Sequence, residues 1–410
     1  MKVLHIVGGS LKGGAARGAY WLHQGLRKIG VDSKILVQRS DAKDNNIISL
    51  TSNKVTKLKQ IILLNLDQSP IWPYKNRKRV ILSTGFVGNN IFKTKEYKEA
   101  DIIHLHWICG GMLSISQIGK IQKPIVWTMR DMWPMTGGCH YAMDCKRYET
   151  GCGFCKELDS QSKHDLSYFV LKKKRTSFPK NMKMVGISHW LSECAKRSFL
   201  FRDFDIRTIH NNVNTSDFFP IEKNIARDIL GLPKSKKIIM TGAQNLKAFY
   251  KGFDKYLEAI RQLKDKRNLF LLFFGNLDES IIKQSGFEYK SLGFLHDTIS
   301  LRLAYSASDV FVAPSLMDAF GKTLAESMCC GTPVVCFDAT GPKDIVDHRI
   351  NGYKATPYMV EDLAAGINWV LSDENRHKQL CIKAREKAVA YFDIEKVAGQ
   401  YAELYREVLG

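Results

Sequence analysis

At 410 residues and 45% hydrophobic content the chain is long enough for two or three packed domains, and no apolar run approaches the roughly 18 residues that a membrane span needs. The net charge of +20 is lopsided: residues 1–217 carry 35 Lys and Arg against 17 Asp and Glu, and residues 218–410 carry 26 against 24. A membrane-spanning chain is thereby excluded, and the basic half calls for an anionic partner: nucleic acid, an anionic membrane or a phosphorylated substrate. The opening MKVLHIVGGS is too short in its apolar run for a signal peptide, so a cytosolic chain with its ten cysteines reduced is expected.

Met1 to Val7 reads as a buried parallel strand. The glycine-rich loop that follows holds Gly8, Gly9, Gly13 and Gly14, and a helix begins near Ala15. Backbone N–H groups there could cradle an anion, though a plain strand-to-helix turn fits equally. Ser33 to Val37 is the next strand. Residues 67–92, with Pro70, Trp72, Pro73 and the run Lys75, Arg77, Lys78, Arg79, read as a solvated surface segment. DIIHLHW (101–107) is a strand whose His104 and His106 share one face; a polar contact at the strand end is favoured over a metal pair.

Pro124 to Thr128 is a further strand. It leads into MRDMWPMTGGCHYAMDCKRYETGCGFC, where Cys139, Cys145, Cys152 and Cys155 are spaced C-x5-C-x6-C-x2-C. Four thiols closing on a C-x2-C could hold a structural zinc, with His140 as a substitute ligand, or remain reduced or conditionally oxidised thiols. The basic-aromatic stretch 164–178 could lie on an anionic membrane surface, or be a helix with its apolar side packed inward and its lysines solvated. Ser188 is placed to cap the following helix. IHNNVNTSDFFP (209–220) is polar and turn-rich and coincides with the charge shift, so the boundary between domains is expected there.

The second half alternates strand and helix. A strand at 236–243 runs into a loop carrying Lys247 and Lys251, then come a helix at 253–263 and a strand at 270–275. In DVFVAPSLMDAFGKTLAESMCCGTPVV (309–335), a strand meets a loop with Asp318, a helix with Glu326, and a second strand. Such repeats predict a doubly wound parallel sheet, whose ligands sit beyond the carboxyl ends of the strands. The loops there gather Lys251, Gly293, Asp318, Lys322 and Glu326. Two carboxylates can accept hydrogen bonds from sugar or ribose hydroxyls, and the helix N-terminus at Gly321 to Thr323 suits a phosphate. An ordinary strand–helix–strand unit with surface acids stands beside this sugar-nucleotide reading.

Taken together, the glycine-rich first loop, DIIHLHW, IHNNVNTSDFFP, the Lys251-Gly252 pair and the segment from Asp318 to Pro333 resemble the GT4 family of retaining glycosyltransferases. TMRDMWPMTGGCHY with the four cysteines is similar to members that build exopolysaccharide, capsule or O-antigen (lipopolysaccharide) repeats. The resemblance implies an α/β GT-B fold, two Rossmann-like domains facing each other across a cleft. Residues 1–212 would form an acceptor-binding domain, on which the helix 393–410 packs back; 213–232 would be a linker and 233–392 the nucleotide-sugar donor domain. It implies that Lys251, with Lys247, neutralises the donor diphosphate, assisted by backbone at Phe320, Gly321, Lys322 and Thr323. Glu326 would bind the ribose, Asp318 the donor sugar, and Gly293, Phe294 and Leu295 the base. Gly13 and Gly14 would approach phosphate or acceptor.

Three departures stand out: Asp318 replaces the first Glu of the family's acid pair, Arg130 stands where a His is frequent, and the Arg that precedes the lysine-glycine pair has no obvious counterpart but Lys247. Arg130 could instead hold an anion. Transfer would need no metal, so zinc would be structural. The acceptor would be a polyprenyl-diphosphate-linked or oligosaccharide molecule at the inner membrane face, with peripheral contact to anionic lipid and no nucleic acid. Rival readings are a sugar-nucleotide epimerase or phosphorylase of the same fold, a catalytically inert binding subunit, and a basic nucleic-acid-binding protein, which no nucleic-acid motif supports.

Overall fold

A computed structural model describes all residues except Lys12, Lys43, Arg79 and His296, so the last member of the basic run 75–79 lies outside the described residues. The chain folds as two compact units, Met1–His210 with Ile394–Gly410, and Asn211–Asp393.

The first unit is built on a seven-stranded sheet. In chain order its strands are β1 (Lys2–Ser10), β2 (Asp32–Arg39), β3 (Ile47–Ser49), β4 (Ile102–Leu105), β5 (Ile125–Met129), β6 (Lys183–Gly186) and β7 (Ile206–Thr208). They pair in parallel in the order β3-β2-β1-β4-β5-β6-β7. Every residue of β4 and β5 is buried, as expected for strands covered on both faces. The reversal of strand order at β1 and β4 puts the switch point of the sheet between them, and the glycine-rich loop and His106 follow the carboxyl ends of these two strands.

The helix Gly14–Lys28 follows that loop, and the helix Ile394–Leu409 lies against it. Contact is close enough that a methyl on Gly25 would stand 2.4 Å from the carbonyl oxygen of Ile394. Val397, Tyr401 and Tyr405 join Val3, Leu22 and Ile102 in one core, so the last helix completes the first unit. Ser188 caps the helix His189–Arg197 by accepting the Leu191 N–H.

The second unit holds β8 (Lys237–Asn245), β9 (Leu269–Asn276), β10 (Glu288–Ser291), β11 (Val310–Ala313), β12 (Val334–Phe337) and β13 (Gly352–Ala355), all parallel, in the order β10-β9-β8-β11-β12-β13. β11 and β12 are wholly buried. The segment 213–232, expected as a linker, is folded into this unit. Val213 and Phe218 are buried, and Lys223–Leu230 is a helix. Polar turn residues dominate that sequence, but its few apolar side chains are the part that packs.

The basic-aromatic stretch also resolves. In the helix Leu166–Ser177, Val170 and Leu171 are buried, and Lys174 is buried too, its ammonium 3.6 Å from the centroid of the Trp133 ring. Val170 and Leu171 pack inward, while Phe169, Lys172 and Arg175 are exposed.

Candidate active site

Two loops at the carboxyl edge of the second sheet are stitched together. After β8 the chain makes a short 3-10 turn, Phe249–Lys251, and reverses at Gly252, whose φ of 65° lies in the left-handed region. A methyl there would stand 2.0 Å from the Pro314 carbonyl oxygen, so only glycine allows this approach. The Tyr250 carbonyl accepts the Leu316 N–H at 2.9 Å and the Met317 N–H at 3.3 Å. This brings the loop after β8 against the loop after β11. The Lys251 ammonium consequently donates to Oδ2 of Asp318 at 2.6 Å, with both side chains partly accessible. Burial works against the Lys251 charge, but the Asp318 carboxylate outweighs it and holds the ammonium above its ordinary value.

Asp318 is fixed by its own surroundings. Its N–H donates to the Thr340 hydroxyl at 3.3 Å, and its carbonyl accepts the Gly341 N–H at 2.9 Å. Oδ1 accepts the Phe320 N–H at 3.3 Å. Gly321, at φ 100°, then opens the helix Lys322–Cys329, whose first N–H groups have no turn before them. The positive dipole end of that helix thus lies three to five residues from the carboxylate. The Phe320 side chain packs edge-on to Phe392, 5.4 Å between centroids, so only its backbone can serve a ligand.

Glu326 lies one turn inside the helix and is 2% exposed. Its Oε2 accepts the Tyr305 hydroxyl at 3.1 Å, and the Tyr305 carbonyl in turn accepts the Thr332 hydroxyl at 2.7 Å. The carboxylate is therefore an interior group at the back of the mouth. Lys247 is exposed on the loop after β8, its N–H capped by Asn245 at 3.1 Å. Gly293, at φ 63°, faces open space, and its carbonyl accepts the Gly275 N–H at 2.7 Å. Phe294 beside it is 44% exposed, and Leu295 is half-buried.

The second unit thus brings Lys251, Asp318, Gly321 and Thr323 to one mouth, flanked by Lys247 and the loop 293–295. Sequence reading missed Tyr305, Tyr250 and Thr340. Each acts on a residue at least 21 positions or a separate loop away, and no local spacing signals that.

In the first unit Gly13 and Gly14 open the helix Gly14–Lys28, and neither has a heavy atom within 4 Å of where a methyl would stand. Arg130 follows β5 directly and is buried. Its guanidinium lies 3.3 Å from Nδ1 of His106. His106 Nε2 is 2.8 Å from His5 Nδ1, while His104 joins Thr128 at 2.7 Å and Tyr405 at 2.5 Å. Among the described residues His5, His104 and His106 are the trio whose ligand atoms lie within 4.8 Å of one another. The ring nitrogens of His104 and His106 are nevertheless spent on hydrogen bonds, and a guanidinium stands beside them. Burial, then the neighbouring charges, pushes all three rings down, so they pack neutral. The trio fits a hydrogen-bonded strand-end stack and not a divalent cation. Burial also draws Arg130 down to about 10, leaving it charged at neutral pH.

Cys139, Cys145, Cys152 and Cys155 line one small pocket and are free thiols. No three of the four sulfurs lie within 4.8 Å of one another. His140 is committed elsewhere, to Asp131 at 2.6 Å and Ser83 at 2.9 Å.

Comparison with known proteins finds chains similar to this one. Residues 222–387 match the profile of glycosyl transferases group 1. An uncharacterized glycosyltransferase of Methanocaldococcus jannaschii is 24% identical over 344 residues, 77% of this chain and 85% of that one. The N,N'-diacetylbacillosaminyl-diphospho-undecaprenol alpha-1,3-N-acetylgalactosaminyltransferase of Campylobacter jejuni is 29% identical over 208 residues, 48% of this chain and 53% of that protein. In fold, sucrose-phosphate synthase from Thermosynechococcus elongatus matches with a TM-score of 0.72 at 19% identity, covering 100% of this chain and 99% of that one. Anabaena HepE, solved with UDP and glucose, matches with a TM-score of 0.65 at 15% identity over 99% of each chain. Two parallel-sheet α/β units of this kind are those of the GT-B fold. The segment 222–387, which holds Lys251, Asp318 and Glu326, carries the match to the group 1, GT4-like glycosyltransferases and supports a glycosyltransferase.

Proposed function

We propose that the enzyme moves a sugar from a nucleotide-sugar donor, a UDP or GDP sugar, to a lipid-linked or saccharide acceptor with retention of anomeric configuration, in the assembly of an exopolysaccharide, capsule or O-antigen. The observation that carries the reading is the Lys251–Asp318 pair at 2.6 Å beside the N-terminus of the helix Lys322–Cys329. A cation and a helix dipole meet a diphosphate, while the adjacent carboxylate meets sugar hydroxyls. As the glycosidic bond to the leaving diphosphate breaks, negative charge grows on the phosphate oxygens. Lys251 and the N-terminal end of the helix Lys322–Cys329 are placed to stabilise it, with Lys247 adding a second charge. Asp318 releases Lys251 to the phosphate and turns its oxygens to the donor sugar. Glu326 forms the floor of the ribose pocket, with Tyr305 holding its orientation. The loop 293–295 offers an exposed aromatic ring to the base.

The acceptor class draws support from the Campylobacter jejuni relative, whose name specifies an undecaprenol diphosphate, and the donor class from HepE, solved with UDP and glucose. Gly13, Gly14 and Arg130 are the first unit's candidates for anionic groups of the acceptor or donor. A panel of UDP, GDP and other nucleotide sugars tests the reading. A rise in melting temperature with one donor and its loss in Lys251→Ala are expected. A panel without any shift, or conversion of free donor without acceptor, would overturn it.

For cofactors we propose that the transfer runs without a metal, and that the four-cysteine cavity takes up one structural zinc. Four thiols from one C-x5-C-x6-C-x2-C segment lining a single pocket support this.

A further inference from the structure

The helix Lys54–Gln68 is amphipathic in the wrong sense for a helix that covers a core. Its inward side is polar. Gln60 is buried in a network with Gln38 and Asn89, donating to Asn89 Oδ1 at 2.9 Å, and Asp67, seven residues on, is buried against the Thr84 hydroxyl at 2.8 Å. Its outward side is apolar. Val55, Leu58, Ile62 and Leu66 recur at helical spacing on the opposite side and are 76%, 57%, 48% and 50% exposed. An apolar stripe of this kind on a surface helix marks a docking face.

We propose that this helix seats the protein on an anionic lipid bilayer, lying in the plane of the interface with Val55, Leu58, Ile62 and Leu66 among the acyl chains. Charge selects the occupant. Lys54, Lys57 and Lys59 are exposed on the first two turns, and the helix's one acid, Asp67, is buried. A second copy of this face would set lysines against lysines, whereas lipid phosphates complement them. The surface continues in the same sense: Trp72 is 57% exposed just beyond the helix, followed by exposed Lys75, Arg77 and Lys78. An exposed Trp beside basic side chains is the composition that settles at headgroup level. Among the described residues no helix is long and apolar enough to cross a membrane, so contact of this kind would be peripheral.

The proposal stands apart from the transferase reading, because its test contains no donor and no acceptor. Flotation of the full chain with vesicles of 30% phosphatidylglycerol in phosphatidylcholine, against vesicles of phosphatidylcholine alone, measures it. Binding to the anionic vesicles, weakened by 0.5 M NaCl, is expected. The double variant L58S/I62S should bind at least tenfold more weakly with an unchanged melting temperature, since both side chains already face water. Equal binding by that variant, or failure of the parent chain to float with anionic vesicles, would overturn the proposal. So would a dimer in sedimentation velocity that L58S/I62S dissociates, since that would give the stripe to a second copy.

Discussion

The Tyr305 hydroxyl donates to Oε2 of Glu326 across 3.1 Å inside the second unit, joining the helix Thr298–Ala307 to the helix Lys322–Cys329. A carboxylate held from behind presents a fixed oxygen forward, so the pair separates positioning from contact. Glu326→Ala should abolish transfer. Tyr305→Phe keeps the ring against Phe311, 5.5 Å between centroids, and removes one hydrogen bond, at a cost of about 1 kcal/mol. It should lower kcat/KM about tenfold or less, chiefly through the donor KM. Steady-state kinetics on both variants checks the pair. Unchanged turnover in Glu326→Ala would reduce this carboxylate to a packing element.

Lys251 and Asp318 make the second prediction. Lys251→Ala removes the cation from the leaving diphosphate, and a loss of about 100-fold or more in kcat is expected, on the scale of removing one preorganised donor. Asp318→Glu lengthens the acid by one methylene and should change the ranking of donor sugars more than the total rate. The pH dependence has a defined sign. Lys251 sits above its ordinary value of 10.5 in the folded chain, so its contribution to stability is complete below 10.5 and fades only as pH rises through the higher folded value. Between pH 6 and 9 this pair should leave melting temperature flat, and a melt series would read any slope directly.

The mouth was legible in sequence because its parts are local. A glycine after Lys251 and a glycine before the helix Lys322–Cys329 are demanded by left-handed backbone, and the alternation of strand and helix fixes which loops lie at one edge. What closes the site was not legible. Tyr305 reaches Glu326 from 21 residues away, and the Pro314 carbonyl explains Gly252 only once two loops meet. The same limit hid the helix Lys54–Gln68. Sequence reading passes over it, and only burial of Gln60 and Asp67 shows which face turns inward. At 164–178 the sequence leaves two readings open, and only the structure shows Lys174 turned inward against Trp133 while Lys172 and Arg175 stay exposed.

Acid should destabilise the first unit. Burial, opposed by Asp44 and aided by Arg27, holds His23 down at about 4, and its Nδ1 is 2.8 Å from the Ser33 hydroxyl. The unfolded chain therefore binds a proton below about pH 6.5 that the folded chain refuses until about pH 4. Stability falls across that window by about 1.4 kcal/mol per pH unit for each such ring. His5, His104 and His106 act in the same direction. Urea unfolding at pH 7.5, 6 and 5 measures the slope, and His23→Gln should reduce it by one proton. A flat profile would mean that these rings are protonated in the folded protein.

The cysteine cavity makes the last prediction. Burial pushes the thiols of Cys139, Cys152 and Cys155 up, Cys152 to about 12, so without a metal they stay protonated and unreactive at neutral pH. Zinc would deprotonate them, and the resulting anionic centre would lie near the buried ammonium of Lys174, which the carbonyls of Trp133 and Thr136 already hold in place. Purification without chelator should yield about one zinc per chain by elemental analysis. Zinc removal by a strong chelator should lower the melting temperature, and re-addition should restore it. Cys152→Ser/Cys155→Ser should abolish zinc content, whereas Cys381→Ser, a thiol of the second unit, should leave it unchanged. All ten thiols titratable on unfolding, with no zinc bound even after refolding in its presence, would leave the cavity as reduced packing; eight thiols would instead show a disulfide.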